Sequence, residues 1–131
     1  MKKWIAAVLF LALVLSGFAY QEEMYMNYKQ IDMEEAIDIM ETEKDYIILD
    51  VRTLQEYQVM HIPGAICIPN ETIGSVDPEE LPDKDQLILV YCRSGNRSKQ
   101  AAQKLADLGY SNIVEFGGII RWPGETVRGI E

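Results

Sequence analysis

The sequence has 131 residues, of which 48% are hydrophobic and 25% are charged. These proportions are typical of one globular domain and exclude a disordered or collagen-like chain. Acidic residues outnumber basic residues by 21 to 12, and no basic run is present that would follow a phosphate backbone, so we expect no nucleic-acid partner. Two cysteines and one histidine are too few for a zinc site or a disulfide framework, and no metal site is predicted.

Residues 1–19 have the composition of a secretory signal peptide. A lysine pair precedes an apolar run from Trp4 to Leu15, and Gly17 and Ala19 are small residues at the positions that signal peptidases accept. We predict cleavage after Ala19. The alternative is an uncleaved N-terminal anchor, although the run is shorter than the roughly 20 residues that span a bilayer. Either outcome places the domain outside the cytoplasm, in the periplasm or on the outer face of the membrane, with membrane attachment only through an uncleaved leader.

The region after the leader divides into a linker and a domain. Residues 20–27 show no clear period and are predicted to be a linker, and the domain is predicted over residues 28–131. Asp32 starts a capping-box-like pattern before a predicted helix over residues 33–43. The apolar, β-branched run at residues 46–51 predicts a strand buried on both faces.

The middle of the domain combines short elements with a long loop. Thr53 is predicted to cap a short helix that ends near Val59. Residues 65–68 are predicted to form a brief strand. Residues 70–85 are acidic and contain prolines, which predicts a solvated loop with one helical turn near residues 78–81.

The last third of the domain carries the strongest patterns. Residues 86–91 predict a strand, and residues 98–108 predict an amphipathic helix that Gly109 ends. Residues 113–116 predict a final strand, followed by a short helical turn that carries Trp122. Strands that alternate with helices predict a doubly wound α/β domain, with a parallel sheet and helices on both faces. Ligand sites in such sheets lie beyond the carboxyl ends of the strands.

The loop that follows the strand at residues 86–91 has the features of a nucleophile site. It begins at Cys92, and Gly95 allows the backbone to curl so that its amides converge on the sulfur. Asn96 is a residue type that tolerates the left-handed conformation such a loop often needs. Because these amides and the N-terminus of the helix predicted from Ser98 supply positive potential, we expect a stabilised, nucleophilic thiolate.

Two of the five arginines, Arg93 and Arg97, flank this cysteine. Such a concentration on an acidic protein predicts a local anion site. The alternative is that both arginines form surface salt bridges and that Cys92 is an inert thiol at the end of a strand. The combination of strand end, glycine, paired arginines and helix start favours the anion site.

Four short motifs lie in order along the domain: Leu49-Asp-Val-Arg52 with Glu56-Tyr57, His61-Ile-Pro-Gly-Ala65 with Ile68-Pro69, Val90-Tyr-Cys-Arg-Ser-Gly-Asn-Arg-Ser98, and Gly117-Gly118 with Trp122. Together they extend over about residues 28–124 and resemble the single-domain rhodanese-like sulfurtransferases. Each motif is weakly specific by itself, and the four in register make the resemblance specific. The resemblance implies a doubly wound domain around a central five-stranded parallel sheet.

The resemblance also implies a reaction. Cys92 would accept the outer sulfur of a small anionic donor such as thiosulfate, become a persulfide, and pass the sulfur to cyanide or a thiol. The substrate-binding residues would be the remainder of the loop: Arg93, Ser94, Gly95, Asn96, Arg97 and Ser98. No cofactor and no general base is implied if the thiolate is already formed, and we expect the domain to act as a monomer.

Several further residues have competing interpretations. Cys67 is predicted to be a small buried hydrophobe, with a resolving thiol or disulfide partner for Cys92 as the alternative. Asp50 and Arg52 end a strand near the predicted site, where a structural pairing is favoured over substrate contact. His61 is predicted to stabilise a turn, and Trp122 either walls the pocket or anchors the C-terminal turn.

Rival functions remain open. Cysteine phosphatases and arsenate reductases also have an anion loop that begins with Cys and ends with Arg, but with five residues between them where this sequence has four. A non-catalytic binding module would keep the fold without turnover, although the retention of Cys92 and both loop arginines argues against it. A sulfur carrier would share the chemistry of Cys92 and differ only in the acceptor.

Overall fold

The computed structural model describes residues 27–130. The predicted signal peptide at residues 1–19 and nearly all of the predicted linker lie outside the described residues. Among the helices of the described chain, none combines the length and apolar character that a bilayer span requires.

One sheet of five parallel strands forms the centre of the molecule, in the order β1-β5-β4-β2-β3. This confirms the predicted doubly wound α/β class. The strands are β1 (Lys29–Gln30), β2 (Tyr46–Asp50), β3 (Ile66–Cys67), β4 (Leu87–Cys92) and β5 (Ile113–Gly118).

Three helices connect the strands: α1 (Met33–Thr42), α2 (Leu54–Val59) and α3 (Asn96–Asp107). The first two start at the caps that the sequence predicts. The Asp32 side chain accepts the backbone N–H of Glu35, and Thr53 forms a reciprocal capping box with Glu56. Short 3-10 turns lie at Asn70–Thr72 and Ile119–Arg121.

The core consists of two clusters, one on each face of the sheet, because side chains alternate along each buried strand. On β4, Val90 and Cys92 pack with the inner face of α3, whereas Leu89 and Tyr91 pack with α1 and α2 on the other face. The short side chains Ala101 and Ala102 let α3 lie close against the sheet. Cys92 therefore points towards α3.

Two local predictions are wrong. The helical turn predicted near residues 78–81 is only a hydrogen-bonded turn, and the 3-10 turn lies earlier, at Asn70–Thr72. The last helix begins at Asn96 and not near Ser98, because Gly95 has a φ of +111° and turns the chain directly into α3. Asn96 is helical, so the left-handed position belongs to glycine alone.

Candidate active site

Cys92 is the last residue of β4, a central strand, and is 1% exposed. The backbone N–H of Gly95 donates to its Sγ at 3.0 Å, and α3 starts at the next residue. The sulfur thus lies at the N-terminus of a 12-residue helix, where an N–H group and the helix dipole both favour negative charge. This geometry suits a thiolate that forms during a reaction.

A second polar group lies behind the sulfur. Ser98, on the first turn of α3, is fully buried with its Oγ 3.4 Å from Cys92 Sγ. The same hydroxyl donates to Glu115 Oε2 at 2.8 Å, and that oxygen also accepts the Gly117 N–H at 2.6 Å. Ser98, predicted among the substrate-binding residues, therefore contacts the sulfur itself and a carboxylate below it.

Glu115 is a site residue that the sequence analysis missed. It is 3% exposed and lies in register with Val90 on β4. The signal was available in the alternation of β5, because Val114 and Phe116 pack on the α1 face and the residue between them must point towards α3. An acidic residue at such a position requires a buried polar partner, and Ser98 provides it.

Gly118 allows the sheet to approach the loop that begins at Cys92. A Cβ at this position would overlap the Arg93 carbonyl and the Ser94 Cα. Gly118 is the register partner of Cys92, beyond an irregularity in the pairing of β4 and β5. The glycine pair at the end of β5 therefore sets how closely the loop packs on its neighbouring strand.

Arg97 is held in place by α2. Its guanidinium makes two hydrogen bonds to the Glu56 carboxylate, at 2.6 and 3.0 Å. This pairing lowers the pKa of Glu56 to about 2, chiefly through the hydrogen bonds from Arg97. It also raises the pKa of Arg97, with a smaller contribution in the same direction from the charge of Cys92. The guanidinium of Arg97 is thus bound to a carboxylate of α2.

The other predicted binding residues of the loop differ in exposure. Arg93, Ser94 and Asn96 are exposed, and Gly95 is buried beside the sulfur. An open groove of about 780 Å³ adjoins Ser94 and Gly95 on the side of α1, but Cys92 does not line it. The substrate-binding roles of these residues stay predictions.

The comparison with known proteins decides the family. The family model described as a rhodanese-like domain matches residues 32–123, which include every element from α1 to the end of β5. The chain belongs to the rhodanese-like domain family.

Named relatives support sulfur transfer as the general chemistry. The chain is 31% identical to the adenylyltransferase and sulfurtransferase uba4 of Ogataea parapolymorpha, over 74% of this chain and 25% of that protein. It is 37% identical to the thiosulfate sulfurtransferase PspE of Escherichia coli, over 54% of this chain and 68% of that protein. The chain spans about a quarter of the length of the first curated relatives that it matches.

A solved structure gives the same result. A rhodanese with anions from E. coli superposes with a TM-score of 0.59 at 33% identity, and the match covers 64% of this chain and 99% of that one.

Asp50 and Arg52 of the first rhodanese-like motif are bonded to each other. Arg52 donates to both Asp50 oxygens, at 2.7 to 3.1 Å, and to the Met60 carbonyl. The Tyr91 hydroxyl donates to Asp50 at 2.6 Å, and burial with this carboxylate raises the pKa of Tyr91. These contacts stabilise the end of β2. Because the Asp50 and Arg52 side chains are 0% and 4% exposed, the pair is not accessible to a solute.

Cys67 and Cys92 lie on opposite faces of the sheet. Asp50 on β2 pairs with Cys67 on one side and with Tyr91 on the other. The Cα atoms of Cys67 and Tyr91 are therefore two strand spacings apart, about 9.6 Å. Cys92 points to the face opposite Tyr91, whereas Cys67 packs on the same side as Tyr91. A disulfide needs Cα atoms within about 7 Å, so the structure contradicts the alternative that Cys67 pairs with Cys92.

The remaining motif residues have structural contacts. His61 is fully buried, stacks on Tyr57 with ring centroids 3.7 Å apart, and has its Nδ1 2.9 Å from the Tyr57 carbonyl. The Trp122 indole donates to the Glu125 carbonyl at 2.9 Å. These contacts stabilise the turn before β3 and the C-terminal segment. Within residues 27–130 no group of three His, Cys, Asp or Glu side chains is arranged to hold a metal ion.

Proposed function

We propose that this protein is an exported sulfurtransferase that takes the outer sulfur of thiosulfate or a similar anionic donor. Cys92 carries the sulfur as a persulfide and delivers it to cyanide or to a thiol. The observation that carries the proposal is the contact of 3.0 Å from the Gly95 N–H to Cys92 Sγ at the start of α3.

The proposed reaction has two displacements. In the first, the Cys92 thiolate attacks the outer sulfur of thiosulfate, a new S–S bond forms, and sulfite leaves with the electron pair of the broken S–S bond. In the second, cyanide attacks the outer sulfur, thiocyanate leaves, and the Cys92 thiolate returns. The Gly95 N–H stabilises the sulfur both as nucleophile and as leaving group, and ping-pong kinetics follow.

The cations near the loop support an anionic donor. Arg93 is exposed at the rim of the loop, and Arg97 lies on the first turn of α3. Glu56 neutralises much of the Arg97 charge, so Arg93 is the principal free cation that a donor would meet on the loop.

We propose that the leader at residues 1–19 directs export. N-terminal sequencing of the protein recovered from the cell envelope tests this, and cleavage after Ala19 predicts Tyr20 as the first residue.

Steady-state formation of thiocyanate from thiosulfate and cyanide tests the chemistry. We expect activity in the wild type, loss of at least about a thousandfold in Cys92→Ser, and retention in the matched control Cys67→Ser. If Cys92→Ser keeps the activity, the proposal is wrong. Hydrolysis of an aryl phosphate by a protein that makes no thiocyanate would establish the phosphatase alternative.

A further inference from the structure

The donor side of the proposed reaction depends on the charges that an anion meets beside Cys92. The two nearby arginines differ in their surroundings, because Arg93 is exposed whereas Arg97 is bound to Glu56. The side chains of Arg97 and Glu56 are 28% and 32% exposed, so a small solute can reach the pair. The proposed reaction gives no role to this carboxylate.

Glu56 is held in place by its own helix as well as by Arg97. It closes the capping box of α2, and its Oε1 accepts the Thr53 N–H at 3.4 Å and the Thr53 hydroxyl at 3.2 Å. The same oxygen accepts Nη1 of Arg97 at 2.6 Å, and Oε2 accepts Nη2 at 3.0 Å. Because the carboxylate is fixed at the start of α2, it stays beside Arg97 when a donor arrives.

This pairing changes what Arg97 offers to an anion. A guanidinium has five N–H groups, and Glu56 accepts from two of them. The Arg97 side chain makes no other hydrogen bond to the residues that the structure describes, so the remaining N–H groups are available to the oxygens of a donor. The net charge of the pair is close to zero. Arg97 therefore offers directed hydrogen bonds with little of the Coulomb attraction of a lone arginine.

A second carboxylate acts on the same arginine. The pKa of Arg97 is raised chiefly by its hydrogen bonds to Glu56, and the charge of the exposed Glu71, in the 3-10 turn after β3, contributes in the same direction. Two carboxylates thus balance Arg93 and Arg97. The exposed charged residues of the adjoining groove balance as well: Asp32 and Glu34 against Lys99 and Arg121.

We propose that Glu56 is a specificity-determining residue, which by pairing with Arg97 makes the site favour donors with one negative charge over dianions such as thiosulfate. The favoured class is the organic thiosulfonates, in which a carbon group replaces one oxygen of thiosulfate and two sulfonyl oxygens remain to accept the N–H groups of Arg97. The Cys92 thiolate attacks the outer sulfur, a new S–S bond forms, and a sulfinate leaves with the electron pair of the broken S–S bond. The inference rests on the proposed function, because it takes Cys92 as the sulfur acceptor.

A comparison of two donors tests the proposal. Thiosulfate has two negative charges and methanethiosulfonate has one, and each transfers its outer sulfur. With cyanide as the common acceptor and Cys92→Ser as the blank, kcat/KM for the donor reports the loading step of a ping-pong reaction. Glu56→Gln removes the charge and keeps a side chain that suits the capping box. Because Coulomb energy is proportional to the donor charge, we expect kcat/KM to rise about tenfold for thiosulfate and about threefold for methanethiosulfonate.

The matched control is Glu41→Gln, which removes one negative charge at the exposed end of α1 that precedes β2. We expect it to leave the ratio of the two rate constants unchanged. An unchanged ratio in folded Glu56→Gln protein, or a larger loss for thiosulfate than for methanethiosulfonate, would overturn the proposal, because Glu56 would then serve only to position Arg97. Sulfur loading of the wild type would still support the proposed function, whereas a wild type that neither donor loads would refute both.

If Glu56→Gln does not fold, the salt dependence of the wild type decides. Balanced charges leave little net attraction for salt to screen, so kcat/KM for thiosulfate should fall by less than about twofold between about 20 and 200 mM salt. A fall of about tenfold would mean that the donor is attracted by an unpaired arginine, and the proposal would be wrong.

Discussion

The two cysteines of the domain differ in chemical environment. Cys92 receives an N–H donor at the start of α3, whereas Cys67 donates to the Arg52 carbonyl at 3.5 Å. Burial raises the pKa of the Cys67 thiol to about 11, and the charge of Asp50 acts in the same direction. Cys67 is therefore predicted to stay protonated at neutral pH and to take no part in the chemistry of Cys92.

Alkylation tests this difference at the residue scale. In Cys92→Ser protein only Cys67 remains, and its thiolate fraction at pH 8 should be about a hundredfold smaller than that of a model thiol. We expect Cys67 to react slowly with iodoacetamide and the reaction to accelerate only as the pH approaches 11. Intact-mass measurements at successive times report the extent of alkylation. Unfolded protein serves as the control for full reactivity, and rapid alkylation of the folded protein at neutral pH would contradict the account.

Residue-level prediction from the sequence succeeded where the backbone itself supplies the chemistry. The sequence predicted that the amides of the loop converge on Cys92 Sγ, and the structure contains one such contact, from the Gly95 N–H. Glu115 was missed because its importance depends on which residue of α3 lies opposite, and that is set by helix packing. The pairing of Arg97 with Glu56 agrees with the disfavoured alternative that this arginine forms a salt bridge, but its partner lies 41 positions away and could not be named from the sequence.

At the scale of elements, Gly118 lets the end of β5 pack against the loop that begins at Cys92. The Ile120 N–H donates to the Arg93 carbonyl at 3.3 Å, which ties the loop to the residues that follow β5. A side chain at Gly118 must push the loop away from the sheet, because the overlapping atoms are backbone. The position of Cys92 relative to Gly95 depends on this packing.

Gly118→Ala tests the packing of the loop. We expect destabilisation of about 1–3 kcal/mol and a large loss of sulfur loading, because the added methyl group displaces the backbone around Arg93. The matched control is Gly74→Ala, where no atom lies within 4 Å of the added Cβ and the backbone φ is not positive. Urea unfolding and the thiocyanate assay measure the two effects, and equal behaviour of the two variants would contradict this role.

The ion pair between Glu56 and Arg97 fastens α2 to α3. The pKa of Glu56 falls from 4.5 to about 2, so the folded state binds fewer protons than the unfolded state between these values. The contribution of the ion pair to the free energy of unfolding is therefore present above about pH 4.5 and is lost as the pH falls towards 2. Since the Glu56 side chain is 32% exposed, solvent screening limits the contribution to about 1 kcal/mol.

Glu56→Gln should therefore reduce the free energy of unfolding by about 1 kcal/mol at pH 7, and the difference from wild type should shrink towards zero near pH 2. Urea titrations at several pH values measure it. Glu41→Gln, an exposed change on α1, is the control for loss of one negative charge. A difference that grows as the pH falls would have the wrong sign for this ion pair.

For the whole molecule, the order of the strands explains where the site lies. All five strands are parallel, so their carboxyl ends meet at one edge, and β4 in the centre brings Cys92 to that edge under α3. The alternation of strands and helices predicted a parallel sheet with helices on both faces, but it predicted neither the order of the strands nor β1. It did not predict the first residue of α3, because the left-handed turn at Gly95 shortens the loop, and propensity does not determine where such a turn falls.

The measurement that tests the central claim most directly is the intact mass of the protein before and after incubation with thiosulfate, followed by cyanide. The account predicts a gain of one sulfur atom in the wild type, none in Cys92→Ser, and loss of that sulfur after cyanide is added. A reduced, folded protein that gains no sulfur from thiosulfate, or that gains it equally without Cys92, would contradict the account.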